Sequence, residues 1–416
     1  MKPHSLTLRL LLLASGALAP GAALALPPFE PIVTTTIDAD AADRADGSLD
    51  GKISYSSYFV RPGITVRYIN SVEPLRPVII EVPNGDITIR GVIDVSARSN
   101  LSTRNPGPGG HPGGAAGLGV MTGTKGDGPR AGGGGGLPAG QGCAGGGGGH
   151  ATAGLRATSR SGTAPGIGGT VIARRAITPA SRGVGGSGGG GGGGRLVSGV
   201  APVSGGVGGG GGGAILFSCP AGRIQIGDPV WSAWISTITN PRPDPAECGI
   251  YANGANGGIA YGNGLSMHAG PGGGGAGGVI ELRSPRIEVL ANAVLSVRGG
   301  FGGGISSQPY DRDPLAFSCG AHGGDGYIFF DSKSVLLDDA SQRLAVQEWP
   351  FIYCLTHVRS TFAQDVVFRP GRTLQVKEVR DGIETLWTTV PRATSPYASP
   401  YLYGQTPGVE YWYKAE

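Results

Sequence analysis

The stretch GGGGAGGVIELRSPRIEVLANAVLSVRGGFGGG, Gly272 to Gly304, decides how the rest of the chain is read. A polyglycine lead-in gives way to three short β-rich runs, VIELR, RIEVLA and AVLSVR, which run back into glycine. Such apolar and β-branched runs suit a pleated surface, and the Ser, Pro and Asn between them break it. The unit reads as one coil of a parallel β-solenoid.

Three other places carry the same beat. Aligned on their lead strands they are VIIEVPNGDITIRGVIDVSAR from Val78, AILFSCPAGRIQIGDPVWSAWIS from Ala214 and YIFFDSKSVLLDDASQRLAVQ from Tyr327, with a weaker copy, SSYFVRPGITVRYINS, at Ser56 to Ser71. This alignment sets Cys219 opposite Pro83 or Asn84, Ser284 and Ser332, at the turn after the lead strand. The spacings are uneven: 136 residues from Val78 to Ala214, 65 to Val279 and 48 to Tyr327. A repeat with a constant core and unequal periods places its insertions at one corner, here after the third strand. The expected organisation is a leader over 1–25, a solenoid over 26–347 with insertions at 99–213, 237–278 and 299–326, and a β-rich module over 348–416.

Met1 to Ala25 has Lys2 and Arg9, the apolar run LRLLLLASGALA, and Ala23-Leu24-Ala25 as a small-x-small cleavage signal. This is the pattern of a secretory signal peptide, and no later apolar run reaches the roughly 20 residues of a membrane span. The expectation is a secreted or cell-surface protein without a membrane span, the periplasm being the alternative. Losing Lys2 and Arg9 from 33 basic residues leaves 31 against 29 acidic ones. With no Lys/Arg-rich stripe, nucleic acid is not an expected partner.

Cys143, Cys219, Cys248, Cys319 and Cys354 lie 76, 29, 71 and 35 residues apart. There is no CxxC for zinc, and the odd count leaves at least one thiol unpaired within the chain. Cys248 and Cys319, both on insertions, are the expected staple. Asp38, Asp40, Asp43 and Asp46 invite a calcium reading, but the spacing departs from an EF-hand loop and a solvated acidic turn is the expectation. The histidines at 111, 150, 268 and 322 sit in glycine-rich sequence without an HExxH. No metal or other cofactor is expected.

Glycine supplies 81 of the 416 residues, without the G-X-Y register of collagen. Runs at Gly132 to Gly136, Gly145 to Gly149, Gly188 to Gly194 and Gly208 to Gly213 mostly lack the Ser, Glu and Lys of solvating linkers. The expectation is ordered polyglycine II, left-handed helices of three residues per turn whose outward backbone groups pair with neighbours.

The leader, the TTTID strand, YFVRPGITVRY, PLRPVIIEVPNGDITIRGVIDVSAR and the GGGG-AILF and GGGG-VIEL units together resemble the glycine-rich, β-helix-like exported proteins of Gram-negative bacteria. The resemblance covers most of Thr34 to Asp339. It implies an all-β parallel solenoid and an exported location, and no activity. A resemblance in composition alone extends to the glycine-rich tip adhesins of some phage tail fibres.

Parallel β-helices also carry polysaccharide lyases and hydrolases, which use acidic residues with a base or paired carboxylates. The catalytic candidates are Asp311 and Asp313 in QPYDRDP, flanking Arg312, and Asp325 in HGGDG, with Asp228 and Asp244 behind them. Prolines around Asp311 and Asp313 suit a structural turn equally. Arg67, Arg90, Arg223 and Arg286 recur at similar places in successive copies, as an outer solenoid face requires.

After Gln347 glycine thins and aromatic residues rise. Asp381-Gly382 between LQVKEV and IETLWT signals a hairpin. Among the tail aromatics, the proline-spaced Tyr397, Tyr401 and Tyr403 are the ligand candidates, since amphipathic rings stack on sugars. The functional expectation is a non-enzymatic adhesive or scaffolding protein, with extracellular polysaccharide or cell-surface components as partners. The alternatives are a polysaccharide lyase or hydrolase, and a self-associating filament subunit. Expression with its leader in a Gram-negative host should give an exported chain beginning at Leu26 by N-terminal sequencing; an intact leader would overturn that assignment.

Overall fold

Runs of three to five residues that alternate apolar with polar side chains are too short to be stable alone and need partners on both edges. The computed structural model describes residues 26–39, 41–42, 51–70, 76–98, 104–135, 143–151, 153–157, 166–170, 185–195, 202–229, 248–260, 269–290, 293–304, 320–332, 334–337, 358–360, 366–367, 374–380, 383–384, 386, 388–389 and 409–415. The segments read as leader, as Asp40, Asp43 and Asp46, and as Asp244 lie outside these residues.

The chain enters through β1 (Thr35–Asp38), β2 (Ile53–Ser54), β3 (Tyr58–Val60) and β4 (Thr65–Ile69). Next come β5 (Val78–Glu81), β6 (Ile87–Ile89) and β7 (Val92–Asp94), then β8 (Ala214–Ser218), β9 (Arg223–Ile226) and β10 (Cys248–Tyr251). They are followed by β11 (Val279–Arg283), β12 (Arg286–Val289) and β13 (Ala293–Ser296), then β14 (Tyr327–Asp331) and β15 (Ser334–Leu337). The later strands are β16 (Val358–Ser360), β17 (Val366–Val367), β18 (Leu374–Arg380), β19 (Ile383–Glu384), β20 (Thr388–Thr389) and β21 (Val409–Ala415).

Successive strands pass from sheet to sheet in rotation. One sheet is β1-β4-β7-β10-β13, a second β2-β5-β8-β11-β14 and a third β3-β6-β9-β12-β15-β17, and every pairing within them is parallel. The molecule is thus all-β, with parallel strands in stacked sheets, an arrangement compatible with a β-solenoid. A separate antiparallel sheet runs β16-β21-β18-β19, with β20 also on β18. Arg380 pairs with Ile383, so the Asp381-Gly382 signal does join a hairpin.

All three parallel sheets feed one core. Val66, Ile93, Ile250 and Leu295 align in the first sheet, Ile80, Phe217, Leu282 and Phe330 in the second, and Tyr58, Ile87, Ile224 and Ile287 in the third. Identical positions stack because parallel strands repeat every ~4.8 Å and the inward face must stay apolar. Tyr58 and Tyr68 bury their hydroxyls by bonding each other at 2.9 Å.

That requirement corrects two points of the sequence alignment. Val78 lies opposite Ile215 and not Ala214, because Val78 and Ile80 must face inward with Ile215 and Phe217. Cys219 therefore corresponds to Val82, Ser284 and Ser332, not to Pro83 or Asn84. The turn position keeps its role: the Cys219 thiol donates to Gly85 O at 2.8 Å and the Ser284 hydroxyl to Gly222 O at 2.9 Å, each bonding the neighbouring turn. The second point is β10, which lies inside the stretch read as the 237–278 insertion. Its sequence, CGIY, is too short and too poor in β-branched residues to stand out, and it is held by its register on β7 and β13.

On the outer face of the third sheet, Arg223 and Arg286 are register partners. They bracket Asp86 and Glu288, to which Gln225 donates at 2.7 Å. Arg67 pairs with Asp94, and the Arg90 guanidinium lies 5.7 Å from the Phe59 ring centre. Arg223 and Arg286 are exposed at 46% and 62% while Glu288 between them is buried, so the arginines cover the acid and brace neighbouring strands laterally. Ile287→Ala removes a side chain in register between Ile224 of β9 and Val335 of β15 and should cost about 2–5 kcal/mol in denaturant unfolding; a cost near zero would disprove the ladder packing.

Candidate functional site

After β7, β10 and β13 the chain leaves the first sheet, and at β8, β11 and β14 it returns to the second. The described residues between these strands are rich in glycine. Their backbone groups bond mainly to neighbouring segments.

Segment 185–194 shows the rule. Gly186, Gly189 and Gly192 donate to Gly212, Gly209 and Gly206; Gly188, Gly191 and Gly194 donate to Asp127, Thr124 and Met121; Gly190 and Gly193 donate to Gly146 and Cys143. Its carbonyls accept in the same period: His111, Gly114 and Gly117 donate to Gly186, Gly189 and Gly192, Gly132 and Gly135 to Gly188 and Gly191, and Gly270, Gly273 and Ala276 to Gly193, Gly190 and Ser187. These bonds span 2.8–3.0 Å, and every third residue meets the same neighbour. Six segments surround this one. Segments 143–149 and 270–278 are enclosed in the same way, each exchanging bonds with six others.

Close approach explains the composition. A Cβ on Gly190 would collide with the Gly133 carbonyl, one on Gly192 with that of Gly270, and one on Gly147 with that of His322. Gly128, with φ of +102°, turns the chain between segments 123–127 and 130–135.

Polar side chains take over where neighbouring backbone ends. Along 297–304, Gly300 and Gly303 donate to the backbone of Gly275 and Gly272. Arg298 and Phe301 donate instead to the Oδ1 atoms of Asn253 and Asn256, both at 2.9 Å. Gly299 donates to Asp325 Oδ1 at 3.0 Å and Gly302 to His322 Nδ1 at 2.9 Å. Asn253/Asn256 and His322/Asp325 are each three apart, matching the period of the donors they serve. Ser187 Oγ likewise accepts from Arg130 N–H.

Burial perturbs the titratable members. Asp325, 6% exposed, is pushed up to about 6, mainly because its charged form is desolvated, while the Gly299 bond and nearby Arg298 pull the other way. His150 Nδ1–H donates to Gly277 O at 2.8 Å, its ring meets Tyr327 edge to face at 5.0 Å, and burial pushes it down to about 4. Burial also lowers His322, which packs against Phe301, and His111, where Asp127 opposes the shift.

Asp325 is therefore the one catalytic candidate of its trio within the described residues, and it faces a backbone N–H. Asp311 and Asp313 lie outside them, as do Tyr397, Tyr401 and Tyr403. Cys248 is a buried thiol that donates to Ile89 O at 3.3 Å, and burial pushes it up to about 12. Its expected partner, Cys319, lies outside the described residues. Among the described residues no three His, Cys, Asp or Glu gather as metal ligands, and no helix is long and apolar enough to cross a membrane.

The glycine-rich segments share one end. Gly119 donates to Val203, Gly194 to Met121, Gly193 to Cys143, Gly270 to Gly193, Gly303 to Gly272, Gly320 to Gly303 and Ala260 to Gly304. The described residues that flank 136–142, 196–201, 261–268 and 305–319 therefore lie at that end. Sequence reasoning passed over Asn253, Asn256 and Ser187, whose signal was the three-residue spacing against neighbouring glycines.

No family model, curated protein or solved structure matches this chain.

Gly190→Ala should destabilise by about 1–3 kcal/mol or more, since backbone must move to admit the methyl group. At Gly133 the nearest atom to an added Cβ is Ile167 N at 3.0 Å, and φ is not positive. Gly133→Ala should cost clearly less than Gly190→Ala, because the Ile167 backbone need give only a few tenths of an ångström and the unfolded chain becomes less flexible. Equal effects in denaturant melts would refute the close packing.

Proposed function

We propose that this chain is an exported, non-enzymatic β-solenoid whose glycine-rich insertions form a polyglycine II lattice, and that it works in adhesion or scaffolding on extracellular polysaccharide. The observation that carries the reading is the shared end of the glycine-rich segments. A frame cross-bonded in six directions fixes the stems of several connecting segments, and pre-ordering a binding surface lowers the entropy lost on binding. The three-residue period of bond partners supports polyglycine II, which has three residues per turn.

Two further observations favour a binder. Leu118, Val120 and Met121 stand 53%, 69% and 64% exposed at that same end, as contact residues do. Asp325, a catalytic candidate in the sequence, and His322 both accept hydrogen bonds from backbone N–H groups. The alternative, a polysaccharide lyase or hydrolase, draws its support from segment 305–319. It carries Asp311 and Asp313 and rejoins the frame at Gly320, five residues before Asp325, whose raised pKa suits a general acid. A filament subunit is favoured only by exposed Ile32 and Val33 beside edge strand β1.

A glycan array probed with residues 26–416, run beside reducing-end and unsaturated-product assays on the same polysaccharides, separates these readings. The expected result is binding without product, weakened by replacing Tyr397, Tyr401 and Tyr403. Product formation, lost on replacing Asp311, Asp313 or Asp325, would establish the enzyme instead.

A further inference from the structure

The third sheet begins at β3, and along the outer edge of β3 lies a segment that is not itself a strand, residues 27–30. Ser56 N–H donates to Pro27 O at 3.0 Å, Phe29 N–H to Ser57 O at 2.9 Å and Phe59 N–H to Phe29 O at 2.9 Å. Phe29 and Tyr58 thus form a single parallel bridge. The Phe29 ring stacks on Tyr58 with 4.5 Å between ring centres, meets Tyr55 at 5.0 Å and packs against the core. Arg61, just after β3, donates from Nε to Glu30 Oε1 at 2.9 Å and from Nη2 to the same oxygen. Ala39 and Ala42, just after β1, join the same core.

The outer side of this segment differs from its inner side. In an extended chain the N–H and C=O of one residue point to the same edge, and successive residues alternate edges. Phe29 turns both groups toward β3, so those of Pro28 and Glu30 turn away, where a further strand would have to pair. Pro28 has no N–H, and its ring stands in that place. Pro27 and Pro31 bound the segment, so Glu30 carries the one outward donor from 27 to 31.

We propose that residues 27–30 are an end stop: they satisfy the β3 edge and present an outer edge too poor in donors for a second copy of this chain to extend the third sheet. Proline on an edge strand and a short covering segment are two ways in which proteins keep open sheet edges from pairing with other chains. Here both act at one edge, and Phe29 fastens the cover to the core. A stack of such molecules would have to continue all three parallel sheets together, so closing one of them blocks end-to-end growth. The filament reading, which rests on Ile32 and Val33 beside β1, therefore meets a barrier at the neighbouring sheet.

The test is the mass of residues 26–416 by light scattering over a wide range of concentration, with hydrogen exchange measured on the same samples. Pro28 is exposed, so Pro28→Val supplies the missing outward N–H while leaving the core, the Phe29 ring and the Glu30–Arg61 pair in place. Wild type should keep one mass throughout. The variant should rise with concentration toward roughly twice that mass, as two such edges pair antiparallel about a two-fold axis. Exchange at Glu30 N–H should slow only where the mass rises. A Pro28→Val mass that follows wild type at every concentration overturns the proposal, as does a rise in mass without slowing at Glu30. Phe29→Gly removes the fastening, and exchange in peptides covering 55–60 should quicken roughly 10-fold or more. Unchanged exchange there would mean that the segment does not close the β3 edge, and the proposal fails; if Phe29→Gly does not fold, Pro28→Val decides alone.

Discussion

Every interior glycine segment depends on one constraint: backbone N–H and C=O groups of adjacent segments must meet directly, at distances that leave no space for a Cβ. A buried amide without a partner costs about as much as a lost hydrogen bond. Segments 143–149, 185–194 and 270–278 therefore stand or fall with their six neighbours. Ordering glycine is entropically expensive, so the bonds must be nearly complete for such a region to be stable. The side-chain acceptors Asn253, Asn256, His322 and Asp325 follow from the same demand. They stand where backbone carbonyls end and donors along 297–304 continue.

The parallel sheets make that region possible. Stacked strands bring the exits after β7, β10 and β13 into one row and the returns at β8, β11 and β14 into another. The excursions thereby start parallel and in contact. The apolar ladders set that stacking: Ile87, Ile224 and Ile287 tolerate no slip of one residue, since a slip would turn each of them to solvent. A packed three-sheet body thus positions a frame with almost no hydrophobic core of its own. Where the two meet, Ala151 adds apolar contact on Ala214 and Val279, and His150 adds a hydrogen bond to Gly277.

Much of this was legible in the residues. The triple beat of VIELR, RIEVLA and AVLSVR placed β11 correctly and came close to β12 and β13, because β-branched runs cut by turn residues are a local signal. The expected single corner for the insertions was only partly right: glycine-rich excursions follow β7, β10 and β13, but extra chain also falls between β9 and β10, because the strand CGIY was not recognised. The register of Val78 was missed by one position, since VIIEV is apolar at consecutive residues and does not reveal which side faces inward. β10 was missed because CGIY owes its conformation to β7 and β13. Asp325 read as a catalytic candidate for the enzyme alternative, and a carboxylate among glycines offers no local sign that its partner will be Gly299 from a neighbouring segment.

The order of residues sets the material: short strands of fixed alternation, turns at Pro, Ser, Asn and Gly, and runs of glycine that only a close-packed backbone would require. These are properties of a few adjacent residues and survive without knowledge of the fold. Which groups meet is settled by the packing of the whole chain. It paired Gly190 with Gly146, Asp325 with Gly299 and His150 with Gly277, and it brought the stems of four connecting segments to one end. Glycines along a run are locally identical, so nothing in their order could assign partners; the stacking of strands distant in sequence did so.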